Sequence, residues 1–420
     1  MNIVIFSNEL EVVGGAEDYI IRKVITLIKN NYKVIVIAPA INDFYKKILI
    51  YNDIPFIINE KLGVSPKYLW KKDRRNLLNQ IEKEISFCKW DCIESHQVYP
   101  MLWAELISVR LKIPNYIYLL SEAGNYPVYY KKLLNTKLNN KMLIGCNSMT
   151  IPIVAKKMGA TIDDNNVFLN ISVFPDEIKN QNYTIDIDKE NEFVITTIAR
   201  LDKYYVRYLI EEIAQVSRTE SKPRLVLIIV GSGFYETEFK KLAQKHESEN
   251  LRVIFTGTLK PLPKELFQIT NLYIGMGTTV VLSAAMKCPT LTVDPFSNKS
   301  PGFFGEHTSN FAFTDDTSKL KNFSHYIMDV LKNENKLQSY SEIAFKCFQS
   351  QFENEAVLKK YKQIISENKN IFCEKNVYSI SLVEQLQSVL YKLVGFSGYM
   401  KVKKYLIIKK RMLLNRDNWY

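Results

Sequence analysis

Hydrophobic and polar positions along this chain follow two alternating periods. Short runs such as "NIVIFS" (2–7) and "YKVIVIAP" (32–39) are apolar nearly throughout, as strands covered on both faces are. Between them, "DYIIRKVITLIKNN" sets Ile20, Ile21, Val24, Ile25 and Leu27 at helical spacing. With the glycine turn "VVGGAE" (12–17), these stretches predict a βαβ unit whose turn lies at the carboxyl end of its first strand. The same rhythm runs through "WDCIESH", "NYIYLLSE", "MLIGCNS" and "VFLNISV", with helix-sized stretches such as "PMLWAELISVRLK" between several of them.

Near 175–190 the pattern breaks into "PDEIKNQNYTIDIDKENE", polar, charged and without a period, which reads as a linker. A second series follows. Its strands are "FVITTIAR", "RLVLIIVGSG", "LRVIFTGT", "NLYIGMG" and "PTLTVD", and its helices include "YYVRYLIEEIAQV" and "YETEFKKLAQKH". Apolar strands flanked by helices imply parallel sheets covered on both faces. The expected class is α/β, with two doubly wound Rossmann-like domains, 1–180 and 190–370, facing across a cleft at the carboxyl ends of their strands. Long helical segments at 317–334 and 337–368 close the second domain, the last helix being free to cross back to the first. Residues 371–420 read as a basic amphipathic helical tail.

Length supports the division, since 420 residues exceed what one core ordinarily serves. Fifty-six Lys and Arg against 44 Asp and Glu give a net charge of +12, which favours anionic partners. Finger spacing, an RNP-like aromatic segment and a helix-turn-helix signature are all missing, so nucleic acid is not the expected partner. Six scattered cysteines without a CxxC pair argue against zinc and disulfides. The opening "MNIVIFSNEL" does not read as a signal peptide, and no apolar run of about 18 residues is present. A cytoplasmic protein is expected, or one peripheral on the cytosolic face of a membrane. In "KVKKYLIIKKRMLLNRDNWY" seven Lys and Arg interleave with Leu, Ile, Met, Trp and Tyr, which suits a membrane contact through 397–420 and equally an ordinary basic surface helix.

Candidate chemistry centres on "YIGMGTTVVLSAAMKCPTLTVD" (273–294), where Gly275 and Gly277 follow an apolar run and Thr278 and Thr279 open a helix. A helix N-terminus offers unpaired N–H groups to a phosphate, and glycines let a ligand approach the backbone. A plain strand-to-helix turn uses the same residues.

Taken in order, "VVGGAE", "ARLDK", "IVGSGFYETEFKKLA", "VIFTGTL" and "GMGTTVVLSAAMKCP" resemble the retaining GT-B glycosyltransferases of family 4, over about residues 1–370. The resemblance implies a nucleotide-sugar donor, UDP- or GDP-linked, held mainly by the second domain, with an acceptor held by the first. It implies no metal and no further cofactor, because Arg, Lys and a helix N-terminus neutralise the diphosphate. Gly14 and Gly15 match the glycine pair of the first turn, although a plain tight turn would use them too. His96 matches the histidine placed near the donor sugar, with Glu94 where an earlier histidine usually stands. His246, His307 and His325 read as surface residues. Arg200 matches the diphosphate arginine, whose planar fork suits phosphate oxygens. The lysine expected five residues later is Tyr205, with Lys203 and Arg207 as neighbouring cations. Gly277, Thr278 and Thr279 complete the expected donor set, with Glu306 a further candidate.

The two glutamates of the family pattern fall on Ile274 and Leu282, and leucine accepts no hydrogen bond from a ribose. Losing such a contact should weaken donor binding roughly 10- to 100-fold unless another group substitutes. Two readings follow. One is a retaining glycosyltransferase in surface polysaccharide biosynthesis, with His96 and Arg200 catalytic and a saccharide or lipid-linked acceptor. The other is a non-catalytic glycosyltransferase-like partner of another glycosyltransferase.

Overall fold

A computed structural model describes residues 1–8, 10–11, 15–96, 98–120, 126, 130–160, 166–173, 178–219, 223–312, 314, 316–333, 335–366, 371–378 and 381–413. The chain divides into two compact units, Met1–Asn170 with Lys359–Tyr420, and Ile171–Leu358.

Unit 1 is built on β1 (Asn2–Phe6), β2 (Lys33–Ala38), β3 (Phe56–Ile58), β4 (Cys92–His96), β5 (Asn115–Leu119), β6 (Leu143–Gly145) and β7 (Val167–Phe168). All pairings are parallel, in the order β3-β2-β1-β4-β5-β6-β7. The first six helices are α1 (Gly15–Lys29), α2 (Asp43–Tyr51), α3 (Lys71–Ile85), α4 (Val98–Leu111), α5 (Lys131–Asn139) and α6 (Thr150–Met158). Strand order reverses between β1 and β4, where the loops after the two strands diverge and leave a crevice in sheets of this kind.

Unit 2 repeats the plan with β8 (Glu192–Ile198), β9 (Arg224–Val230), β10 (Leu251–Gly257), β11 (Leu272–Gly275), β12 (Thr290–Asp294) and β13 (Lys299–Phe303), in the order β10-β9-β8-β11-β12-β13. Only β13 is antiparallel among these described strands. Its helices are α7 (Tyr205–Thr219), α8 (Glu236–His246), α9 (Lys264–Ile269), α10 (Thr278–Ala285), α11 (Phe323–Lys332) and α12 (Asn335–Gln351). Here the order reverses between β8 and β11. Strands β8 and β9 are buried along almost their whole length, which explains their unbroken apolar runs.

The chain then passes through α13 (Asn354–Ser366), and from Lys359 onward it belongs to unit 1, with α14 (Glu374–Val377) and α15 (Leu382–Leu413), the last kinked at Gly395. Unit boundaries therefore differ from the 180, 190 and 370 expected from composition. The stretch from 371 is a helical tail that is tied to the rest of unit 1 in its first half. Cys373 N–H donates to Glu105 Oε1 at 2.6 Å, while Lys137 Nζ lies 2.7 Å from Glu105 Oε2 and Asn115 Nδ2 donates to the same oxygen at 3.0 Å. Lys67 Nζ meets Glu384 Oε2 at 2.9 Å, and Tyr130 donates its hydroxyl to Glu384 Oε1 at 2.8 Å.

A buried charge holds when it is paired and hydrogen-bonded, and Glu105 has an ammonium and two further donors, with both oxygens engaged. Replacing one partner strands the carboxylate. Lys137→Met should lower unfolding free energy by about 3–5 kcal/mol in urea titration, and a loss below about 1 kcal/mol would show that the pair contributes little.

Candidate functional site

In unit 2 the loops after β8 and β9 interlock through their backbones. Ala199 N–H donates to Val230 O and Leu201 N–H to Ser232 O, both at 3.0 Å, and Phe234 N–H donates to Asp202 Oδ1 at 2.7 Å. Gly231 has φ +138°, and a Cβ on it would lie 1.9 Å from Ala199 O. A Cβ on Gly233 would lie 2.7 Å from backbone atoms of Leu201. The "GSG" of the second series is therefore a contact surface for the "ARLDK" turn, and only glycine permits that approach.

This turn presents Arg200, exposed, and Lys203, half-buried. Burial lowers the Lys203 pKa, the charge of Arg200 lowers it further, and Asp202 pulls the other way. Two cations that repel each other across one turn form a focus of positive potential. Tyr205, at the expected lysine position, is fully buried, its hydroxyl 2.9 Å from Thr197 Oγ1, so it serves the core of α7 and β8. Arg207 is engaged by Glu211 and Glu238, each at 3.1 Å, and by the Tyr204 hydroxyl at 2.7 Å. Of the two neighbouring cations suggested by sequence, Lys203 is the one at the strand end.

Across the β8/β11 reversal stands the start of α10. Gly277 has φ +78°, its N–H donates to Phe311 O at 2.7 Å, and a Cβ on it would meet nothing within 4 Å. Among the described residues, the N–H groups of Thr278 and Thr279 make no hydrogen bond, so two of the helix's first donors stand open. The Thr279 hydroxyl is not free for a ligand. It accepts from the Tyr273 hydroxyl at 2.6 Å and approaches the carbonyls of Met276 at 3.2 Å and Ile198 at 3.4 Å. That network ties α10 to the end of β8, two residues before Arg200. Ile274 is fully buried in the unit 2 core, and Leu282 is partly exposed on α10.

Glu306 lies elsewhere, lining a cavity of about 680 Å³ with His307, Lys321, Asp329 and Tyr340. That cavity is built on the edge strand β13, three strands from β8.

In unit 1, Gly14 lies outside the described residues and Gly15 is the first residue of α1. His96 ends β4, but its ring is completely buried. Burial pushes the Glu94 pKa up, and the Lys23 ammonium and His96 together outweigh that, holding the carboxyl well below the usual range. Lys23 Nζ contacts Glu94 Oε2 at 2.5 Å, and His96 Nε2 lies 2.9 Å from Glu94 Oε1. The second contact is too poorly aligned for a hydrogen bond, so both ring nitrogens lack a hydrogen-bond partner among the described residues. The Lys23 ammonium sits 3.9 Å from the centre of the Tyr361 ring and 5.0 Å from that of Tyr118. Sequence reading expected a ligand-facing histidine and overlooked Lys23. Its signal was a cation beside the apolar positions Ile20, Val24 and Leu27.

Among the described residues no group of three or more His, Cys, Asp or Glu is placed to hold a metal ion. Residues 179–346 match the family described as Glycosyl transferases group 1. No curated protein matches the chain. Among solved structures, the Anabaena Alr3699/HepE complex with UDP superposes with a TM-score of 0.66 at 15% identity, covering 87% of this chain and 100% of that one. A glycosyltransferase from Rickettsia africae gives 0.61 at 16% identity over 87% and 98%, and MurG from Acinetobacter baumannii 0.51 at 13% over 87% and 99%. At such identities the likeness is one of fold, and the fold is GT-B.

Gly231→Ala tests the interlocked loops. The clash involves backbone on both sides, so thermal denaturation should report a loss above about 3 kcal/mol, whereas Gly277→Ala, which meets no atom but sits in a glycine-only backbone region, should cost about 1–3 kcal/mol from strain alone.

Proposed function

We propose that this chain, with its group 1 glycosyl transferase domain and GT-B fold, transfers a sugar from a UDP- or GDP-linked donor to a saccharide or lipid-linked acceptor. The observation that carries the reading is the grouping at one sheet reversal of Arg200, Lys203 and the open N–H groups of α10. Positive side chains and a helix N-terminus are what a diphosphate requires. Crystal structures of Anabaena HepE with UDP and with UDP and glucose, and of Staphylococcus aureus TarM with UDP, support a nucleotide diphosphate as the ligand class.

In this reading Arg200, Lys203, Gly277 and the main chain of Thr278 and Thr279 hold the diphosphate. The bond from the anomeric carbon to the diphosphate oxygen breaks while the acceptor oxygen bonds to that carbon on the same face. Configuration is retained, and the acceptor's proton passes to the departing diphosphate. Stabilising that developing anion supplies much of the rate, without a metal or other cofactor. His96, Gly14 and Gly15 are the unit 1 positions that the family resemblance assigns, and the His96 ring is enclosed beside Glu94. A cytoplasmic role in surface polysaccharide assembly completes the proposal.

The apolar side chains at 274 and 282 favour a second reading, a non-catalytic partner that keeps the fold. Calorimetric titration with UDP- and GDP-sugars separates the two. Binding by the wild type, weakened roughly 10- to 100-fold in Arg200→Ala with unchanged thermal stability, supports the transferase reading. A folded protein that binds none of them supports the partner reading. Turnover is then read by a mass-spectrometric donor screen.

A further inference from the structure

Helix α15 is held by one face and leaves the other bare. Glu384, Ser388, Tyr391 and Tyr399 are buried against unit 1, where Glu384 pairs with Lys67 and Tyr391 packs on Tyr68. The opposite face carries Leu382, Leu386, Val389 and Leu393, exposed by 77, 72, 54 and 78%. Their spacing of four, three and four residues makes one straight apolar stripe. Trp70, itself 59% exposed, lies beside the same helix, with Lys392 Nζ 4.9 Å from its ring centre. Contiguous bare leucines of this kind mark an interaction surface.

Charge decides the occupant. Within Leu382–Leu413 the sequence has Lys392, Lys401, Lys403, Lys404, Lys409, Lys410 and Arg411 against one acid, Glu384, which is buried in its pair with Lys67. A second copy would bring two such helices together, each with seven cations and no accessible acid, in a chain already carrying +12. An anionic lipid surface complements the same helix. Leucines enter the acyl boundary, tryptophan suits the interface, and lysines reach the headgroups. No helix among the described residues is long and apolar enough to cross a membrane, so the contact is peripheral. We infer that the Leu382–Leu393 stripe of α15, with Trp70, docks this protein on an anionic membrane surface. The apolar stripe lies N-terminal to the 397–420 stretch expected from sequence, whose cations it adjoins, and the inference stands whether or not the chain transfers sugar.

Flotation of the full chain with phosphatidylglycerol–phosphatidylcholine vesicles tests it, with phosphatidylcholine vesicles as the comparison. Binding should favour the anionic vesicles and fall with added salt. Leu382→Glu/Leu386→Glu/Leu393→Glu should partition at least about a hundredfold less, with unchanged melting because these side chains touch solvent. Lys392→Gln and Lys401→Gln should each weaken partitioning about fivefold. Vesicles should also blue-shift tryptophan emission in the wild type, and Trp70→Phe should lose most of that shift. The inference is overturned if the wild type ignores anionic vesicles, binds neutral ones equally well, or is matched by the folded triple variant. It falls equally if light scattering shows a wild-type dimer that the triple variant dissolves.

Discussion

Backbone-to-backbone contact between the turns after β8 and β9 is the constraint on which the geometry of unit 2 at these strand ends depends. Because Gly231 and Gly233 have no side chains, the β9 loop lies directly on Ala199 and Leu201. The "ARLDK" turn cannot relax toward the sheet. Arg207, one helical turn after Lys203, is paired instead with Glu211 and Glu238. Stiffness of this sort fixes where the turn places Arg200, Asp202 and Lys203. The Tyr273–Thr279–Ile198 network adds the start of α10 to the same rigid frame.

Unit 1 treats the corresponding reversal, between β1 and β4, in the opposite way. Its charges are turned inward. Lys23, Glu94 and His96 are all buried, and the ammonium is roofed by aromatic rings rather than by water. Desolvating an isolated ammonium costs several kcal/mol, so Lys23 makes Glu94 obligatory, and Glu94 in turn fixes what His96 can face. A glutamate at that position is therefore consistent with its surroundings: it is the counter-ion of a lysine that sits seventy-one residues earlier on α1.

Sequence made the sheets legible because parallel strands covered on both faces leave unbroken apolar runs, as in "RLVLIIV" and "KVIVIA". The places of Gly277, just before a helix, and of Arg200, just past a strand, were legible as well. Hydroxyl direction was not. Thr279 looked like a ligand group until Tyr273 was seen to occupy it, and that contact depends on Gly275 leaving room beside the ring. The attachment of the tail was hidden for a related reason. Lys67 and Glu384 are separated by 317 residues, and a basic amphipathic helix gives no local sign of which face a distant partner will take.

What remains at the phosphate turn has a consequence for selectivity within the transferase reading. Leucine at 282 and isoleucine at 274 offer no acceptor for sugar hydroxyls, and Ile274 is committed to the core. Recognition then falls on the part of the donor that guanidinium, ammonium and main-chain N–H groups can grip, which is its diphosphate. Such contacts are strong but indifferent to the base and ribose attached. Discrimination between uridine and guanosine donors has to come from other surfaces, and the distinction between nucleotides should be shallower than that between a nucleotide diphosphate and a monophosphate. A site of this design selects for charge first, and the interlocked glycine loops are what keep the charge in place.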